Sequence, residues 1–165
     1  MPETVAITHT LSTLVPRISH DYPDLSLVKS TRFSWHAGLK RITYKQTGCE
    51  SVRDTWALLH ELGHALLEHN DYTYDIELLQ LESAAWTKAL EVARDYSIAV
   101  DDDYVQDCLD TYRDWLHLRA TCPTCFARSL QTAPRLYRCF NCQAEWTVSR
   151  SRFCRPYRLQ KTAQS

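Results

Sequence analysis

His60 and His64 stand four residues apart, with Glu61 directly after the first. On a helix, side chains at that spacing leave the same face one turn apart, close enough for two imidazoles to share one metal ion. The run His60-Glu61-Leu62-Gly63-His64 is the HExxH arrangement: zinc held by both histidines, and a glutamate acting on a water beside the ion. A second group of ligands lies downstream. Cys122 and Cys125 form one Cys-x-x-Cys pair and Cys139 and Cys142 another, with thirteen residues between the pairs. Two such loops bring four thiolates into a tetrahedron around one zinc, and a site filled by four protein ligands is structural.

Two histidines do not complete a catalytic zinc site, which takes a third protein ligand and leaves one position to water. The next helical stretch, about 75–97, has an inward stripe of Leu78, Leu79, Glu82, Ala85, Trp86, Ala89, Ala93 and Tyr96. Glu82 is its one charged member, and a carboxylate on an inward face is costly unless it is paired or binds metal. If the two helices form an antiparallel hairpin turning near 72–73, Glu82 lies level with His64. Glu77 and Glu91 fall at other levels and on the polar stripe. His69, five residues past His64, projects about 140° away on a regular helix and reads as a surface histidine. The chemistry expected is peptide hydrolysis. Glu61 takes a proton from the attacking water and passes it to the leaving amine. A second electrophile for the oxyanion is unassigned; Tyr72 and Tyr74 are near in sequence.

Several elements must position these groups. Residues 7–20 pattern as a helix interrupted by Pro16. Residues 25–36 and 39–45 read as the arms of a β-hairpin around Ala37-Gly38, the second arm rich in β-formers and suited to pairing with an extended peptide. Ser51, with Asp54 three residues on, caps a helix over about 52–69. Asp101-Asp102-Asp103 starts a third helix ending near Leu118, with Cys108 on its apolar stripe. Short strands at Tyr137-Arg138 and 145–148 flank the second cysteine pair.

The charge is divided. Residues 1–118 carry 10 Lys/Arg against 19 Asp/Glu, net −9, and residues 119–165 carry 9 against 1, net +8. The division sets three segments: 1–118, a zinc-site domain; 119–150, a zinc ribbon; and 151–165, a basic tail. Arginines interspersed with Phe140, Trp146, Phe153 and Tyr157 suit nucleic acid. They equally suit an acidic protein, including the chain's own acidic half, or a solvated face. No apolar run reaches the ~18 residues of a membrane helix, and the first residues lack the features of a signal peptide. Seven cysteines, an odd number, without a secretory signal fit metal-bound thiolates in a reducing compartment. A cytoplasmic protein with no membrane partner is therefore expected. Cys49, Cys108 and Cys154 have no role in this reading.

His60-Glu61-Leu62-Gly63-His64-Ala65-Leu66-Leu67, followed by Glu82-x-x-Ala85-x-x-x-Ala89, resembles the ImmA/IrrE family of metallopeptidases over roughly residues 25–97. The resemblance implies an α+β, zincin-like peptidase fold of the gluzincin type, with a small sheet packed on the helices that carry HExxH. It implies zinc on His60, His64 and Glu82, Glu61 as the catalytic glutamate, and cleavage of transcriptional repressors or related regulators. Ala84 and Trp86 stand where that family often has an acidic residue and an asparagine, and the cysteine pairs are not a standard part of it. The order of HExxH before a ribbon is similar to SprT-like DNA-associated proteases, but that class takes a third histidine. A non-catalytic DNA-binding or adaptor protein built on the same scaffold is the remaining alternative. The expected cofactors are two zinc ions, one catalytic and one structural on Cys122, Cys125, Cys139 and Cys142.

Overall fold

A computed structural model describes residues 10–45, 51–150 and 159–160. Among the described residues the fold is α+β, with four helices and two small sheets. The chain divides into two compact units, residues 1–70 with 83–101, and residues 71–82 with 102–165. Among the described residues no helix is long and apolar enough to cross a membrane.

In the first unit, helix α1 (Leu11–Asp21) follows Thr10, whose side chain and that of Thr13 form a reciprocal capping box. It buries Leu11, Leu14 and Ile18 and accommodates Pro16. Strands β1 (Ser26–Ser30), β2 (Ser34–His36) and β3 (Arg41–Lys45) make a sheet of order β1-β3-β2. β2 and β3 are antiparallel and joined by a 3-10 turn at Ala37–Leu39, so the hairpin exists. Its first arm, however, is not residues 25–36. The chain bends at 31–33, and β1 pairs in parallel with the other side of β3. β3 is therefore central, with both its edges taken, and cannot receive a peptide as expected; the open edges belong to β1 and β2.

Helix α2 (Val52–Leu66) begins at Ser51. The Ser51 hydroxyl accepts from the Asp54 N–H, and Asp54 accepts from the Ser51 N–H at 2.8 Å. The capping box read from sequence is present. The helix buries Thr55, Leu58, Leu59, His60 and Leu62 and stops three residues earlier than expected. Helix α3 (Asp75–Asp95) starts where expected, ends two residues early, and buries Ala85, Trp86, Ala89, Val92 and Ala93; Tyr96, just past its end, is buried as well. The Tyr96 hydroxyl donates to Asp21 at 2.7 Å, tying the end of α3 to the end of α1.

The second unit holds the first two turns of α3, helix α4 (Asp102–Ala120), and an antiparallel sheet β4-β5-β6-β7. β5 (Leu136–Arg138) and β6 (Glu145–Thr147) are the two strands expected; β4 (Leu130–Ala133) and β7 (Leu159–Gln160) were not anticipated. The core around Tyr137, Trp146, Val148, Cys122 and Cys139 is small. Leu78, Tyr112 and Trp115 form another cluster. Between them sits a buried ion pair. Arg119 donates to Asp75 through Nε at 2.6 Å and Nη2 at 3.1 Å, the Tyr137 hydroxyl adds a third bond at 2.6 Å, and the guanidinium lies 4.4 Å from the Trp115 ring centre. Arg119, one of the nine basic residues of 119–165, is 1% exposed. Burial, with the neighbouring carboxylate, holds the Tyr137 phenol protonated well beyond its ordinary range. Cys108 is half-buried on α4, Cys49 and Cys154 lie outside the described residues, and so does the basic tail apart from residues 159–160.

Candidate metal centres

α2 brings His60 and His64 onto one face, as four-residue spacing requires. Their Nε2 atoms are 3.1 Å apart and the rings meet edge to face. His60, His64 and Glu82 each offer a ligand atom, and these atoms lie within 4.8 Å of one another. Two nitrogens on a tetrahedral zinc at ~2.05 Å would be about 3.3 Å apart. The donor set therefore fits a metal ion in chemistry and in spacing. His60 and Glu82 are buried and His64 is half-buried.

Gly63 is what lets α3 come so close. A Cβ there would stand 2.3 Å from the Ala85 carbonyl oxygen and 3.3 Å from the Ala89 nitrogen. Ala85 and Ala89 on the facing helix are the other half of this contact. One position on, Trp86 stacks on the His60 ring with centroids 4.3 Å apart.

Sequence reasoning misplaced His69. It is not an isolated surface residue: its Nδ1 lies 2.9 Å from His64 Nδ1. The projection of 140° assumed a regular helix, but α2 ends at Leu66. Glu68 takes a left-handed conformation with φ 51, its N–H bonds the Ala65 carbonyl, and the His69 N–H bonds the His64 carbonyl. This is a Schellman closure, which folds the residue after the left-handed one back over the last turn. A glycine at 68 would have signalled it; a glutamate did not. Trp35 was also missed. Its backbone N–H donates to Glu61 Oε2 at 2.7 Å, and its indole N–H donates to the His69 carbonyl at 2.8 Å. One residue on the open edge strand β2 thus holds both the glutamate of the motif and the histidine behind His64. Of the two tyrosines near the site in sequence, Tyr74 is exposed and Tyr72 packs against the Leu78–Tyr112–Trp115 cluster.

In the second unit, Cys122, Cys125, Cys139 and Cys142 converge. Cys122 Sγ is 3.6 Å from Cys142 Sγ, and Cys125 Sγ is 3.5 Å from Cys139 Sγ. A disulfide requires about 2.05 Å, whereas two sulfurs on a tetrahedral zinc at ~2.3 Å lie about 3.8 Å apart. The spacing fits a metal cluster. A backbone hydrogen bond at Cys142 is the main cause lowering Cys139, whose thiol falls to about 6. At Cys142 the bond with the Ala144 backbone lowers the pKa, but desolvation and the other cysteines outweigh it and push that thiol up to about 12.

Comparison of the chain with protein-family models, with curated proteins and with solved structures finds no match.

Proposed function

We propose that the chain is a zinc-dependent endopeptidase of the ImmA/IrrE type, with a zincin-like first unit and a zinc ribbon formed by the four cysteines. The observation that carries this reading is the convergence of His60, His64 and Glu82; Glu61, which follows His60 on α2, accepts from the Trp35 N–H. His60, His64 and Glu82 would hold the zinc. When bound, zinc supplies Lewis acidity, which acidifies a water and polarises a peptide carbonyl. Glu61 serves as the base for the attacking water and as the acid for the leaving amine. The Trp35 bond keeps Glu61 on the side of the open β2 edge, where an extended peptide strand would lie. Glu82 rather than a third histidine completes the ligand group, which favours this class over a SprT-like one.

The substrate in this reading is a regulatory protein of a reducing, cytoplasmic compartment, where the four thiols remain available for zinc. The ribbon is the recruiting module. The test joins metal analysis to turnover. The purified chain should hold two zinc ions and cleave members of a quenched fluorescent peptide library. Glu61→Gln should keep both ions and lose cleavage by a factor of about 10² or more. A variant with undiminished turnover, or a wild-type chain that holds no zinc on the histidine site, would overturn the reading.

A further inference from the structure

The second unit contains a cavity of about 380 Å³ whose wall includes Arg119, Arg135, Arg150, Thr73, Asp71 and Asp75. That is the size of a small-ligand site. Three guanidiniums and two carboxylates share this wall, and among the described residues Arg119 alone of the three is held in an ion pair, with Asp75.

Each arginine is held differently. Arg119 is buried and locked: Nε and Nη2 are committed to Asp75, which leaves Nη1 with no hydrogen-bond partner. A buried N–H without an acceptor is rare in folded proteins and marks a strained or ligand-dependent position. Arg135 sits in the two-residue turn between β4 and β5, after Pro134, with φ 62. Proline followed by a left-handed residue is the order of a type II turn, and its second position normally takes glycine or asparagine. An arginine kept there at a conformational cost points to a use for its side chain. Arg135 and Arg150 are exposed and have no ion-pair partner among the described residues. Asp75 is already neutralised by Arg119, and Arg135 and Arg150 outnumber the one remaining carboxylate, Asp71, so the wall has an excess of positive charge.

We propose that this cavity binds a phosphate group of a nucleic-acid strand, with Arg135 and Arg150 donating to it from the exposed side and the buried Arg119 behind them. Guanidinium forks match phosphate oxygens in geometry and charge. The setting favours nucleic acid over a lone small anion. Residues 119–165 have one acidic residue against nine basic ones. The two cysteine loops also expose Phe126 at 74% and Phe140 at 65%, ring faces on which bases can stack. The site does not depend on the peptidase reading.

The test uses the full zinc-loaded chain and a short fluorescent single-stranded oligonucleotide of mixed sequence, titrated over a range of KCl concentrations. Arg135→Asn combined with Arg150→Ala should raise Kd about tenfold or more, since each removes a charge-assisted bond. The slope of log Kd against log salt should fall by roughly 0.7 for every phosphate no longer neutralised. Asparagine tolerates the left-handed turn, so Arg135→Asn should melt no lower than wild type, which separates weakened binding from impaired folding. Unchanged affinity and slope in the double variant would overturn the proposal. So would protection of the chain by inorganic phosphate without any oligonucleotide binding, which would make the ligand a free phosphate compound. Glu61→Gln should bind the oligonucleotide as wild type does, so failure of the peptidase reading and failure of this one are separate results.

Discussion

Gly63→Ala is a severe test of how the histidine site is built. In most helices this exchange is favourable by about 1 kcal/mol. Here the new methyl would stand 2.3 Å from the Ala85 carbonyl oxygen and 3.1 Å from its carbon. Those atoms are backbone on a regular helix and cannot rotate away. Reaching even a short contact of about 3.0 Å needs the helices to part by about 0.7 Å, and an ordinary one needs about 1 Å. Overpacking of this kind costs about 1–3 kcal/mol, so the propensity gain offsets part of it and the melting temperature should fall by only a few degrees. The effect on metal should be much larger. Glu82 is three residues from Ala85 on α3, and a displacement approaching 1 Å exceeds the ~0.2 Å tolerance of metal–ligand distances. Zinc affinity of the histidine site should drop by about tenfold or more, measured by competition with a chromophoric chelator, with the cysteine site unaffected. Gly38→Ala, where an added Cβ meets nothing within 4 Å, is the control and should change neither quantity. A Gly63→Ala protein that binds both ions with wild-type affinity would refute the argument that this close approach sets the site.

Two further outcomes follow from the geometry of the ligands. His69→Ala removes the partner of His64 Nδ1 and should weaken zinc at the histidine site by about 10–100-fold while leaving the far-UV circular dichroism unchanged; wild-type affinity would return His69 to the surface. At the cysteine site, Cys139 with a pKa of about 6 is already a thiolate at pH 7.5, whereas Cys142 at about 12 keeps its proton. Adding zinc to the metal-free protein in weak buffer should therefore release at least that proton, and affinity should rise with pH as proton competition falls. An indicator dye that detects no release would contradict the raised Cys142 value.

The parts of the fold that could be read from sequence are those specified locally. Ser51 and Asp54 mark the start of α2 because a capping box is complete within four residues. His60, His64 and Glu82 could be grouped because ligand chemistry and helical period restrict each other. The cysteine loops carry their own spacing. What was missed depends on partners far away in sequence or on backbone choices that the residues do not announce. Residues 25–36 are uniformly strand-like, with no glycine, and nothing in them states that β1 runs parallel to β3 on the side opposite β2. Glu68 takes the left-handed position normally marked by glycine, and that alone moved His69 from the surface to His64. Nothing near either residue in sequence pairs Asp75 with Arg119, yet they meet across 44 positions as a buried pair.

The helix that carries Asp75 also carries Glu82. Asp75 and Glu82 are seven residues apart on α3, two turns, so their side chains leave the same face about 10.5 Å apart along the axis. The start of the helix is fixed by three hydrogen bonds to the Asp75 carboxylate and one from its N–H to Gln131. One turn past Glu82, the helix is fixed again by the contact of Ala85 with Gly63. The Gly63 contact limits how far this part of the helix can slide or rotate, because either motion drives backbone into backbone. In an HExxH site the third ligand comes from outside the motif, and the close approach next to Glu82 rests on an alanine and a glycine that would not themselves be ligands.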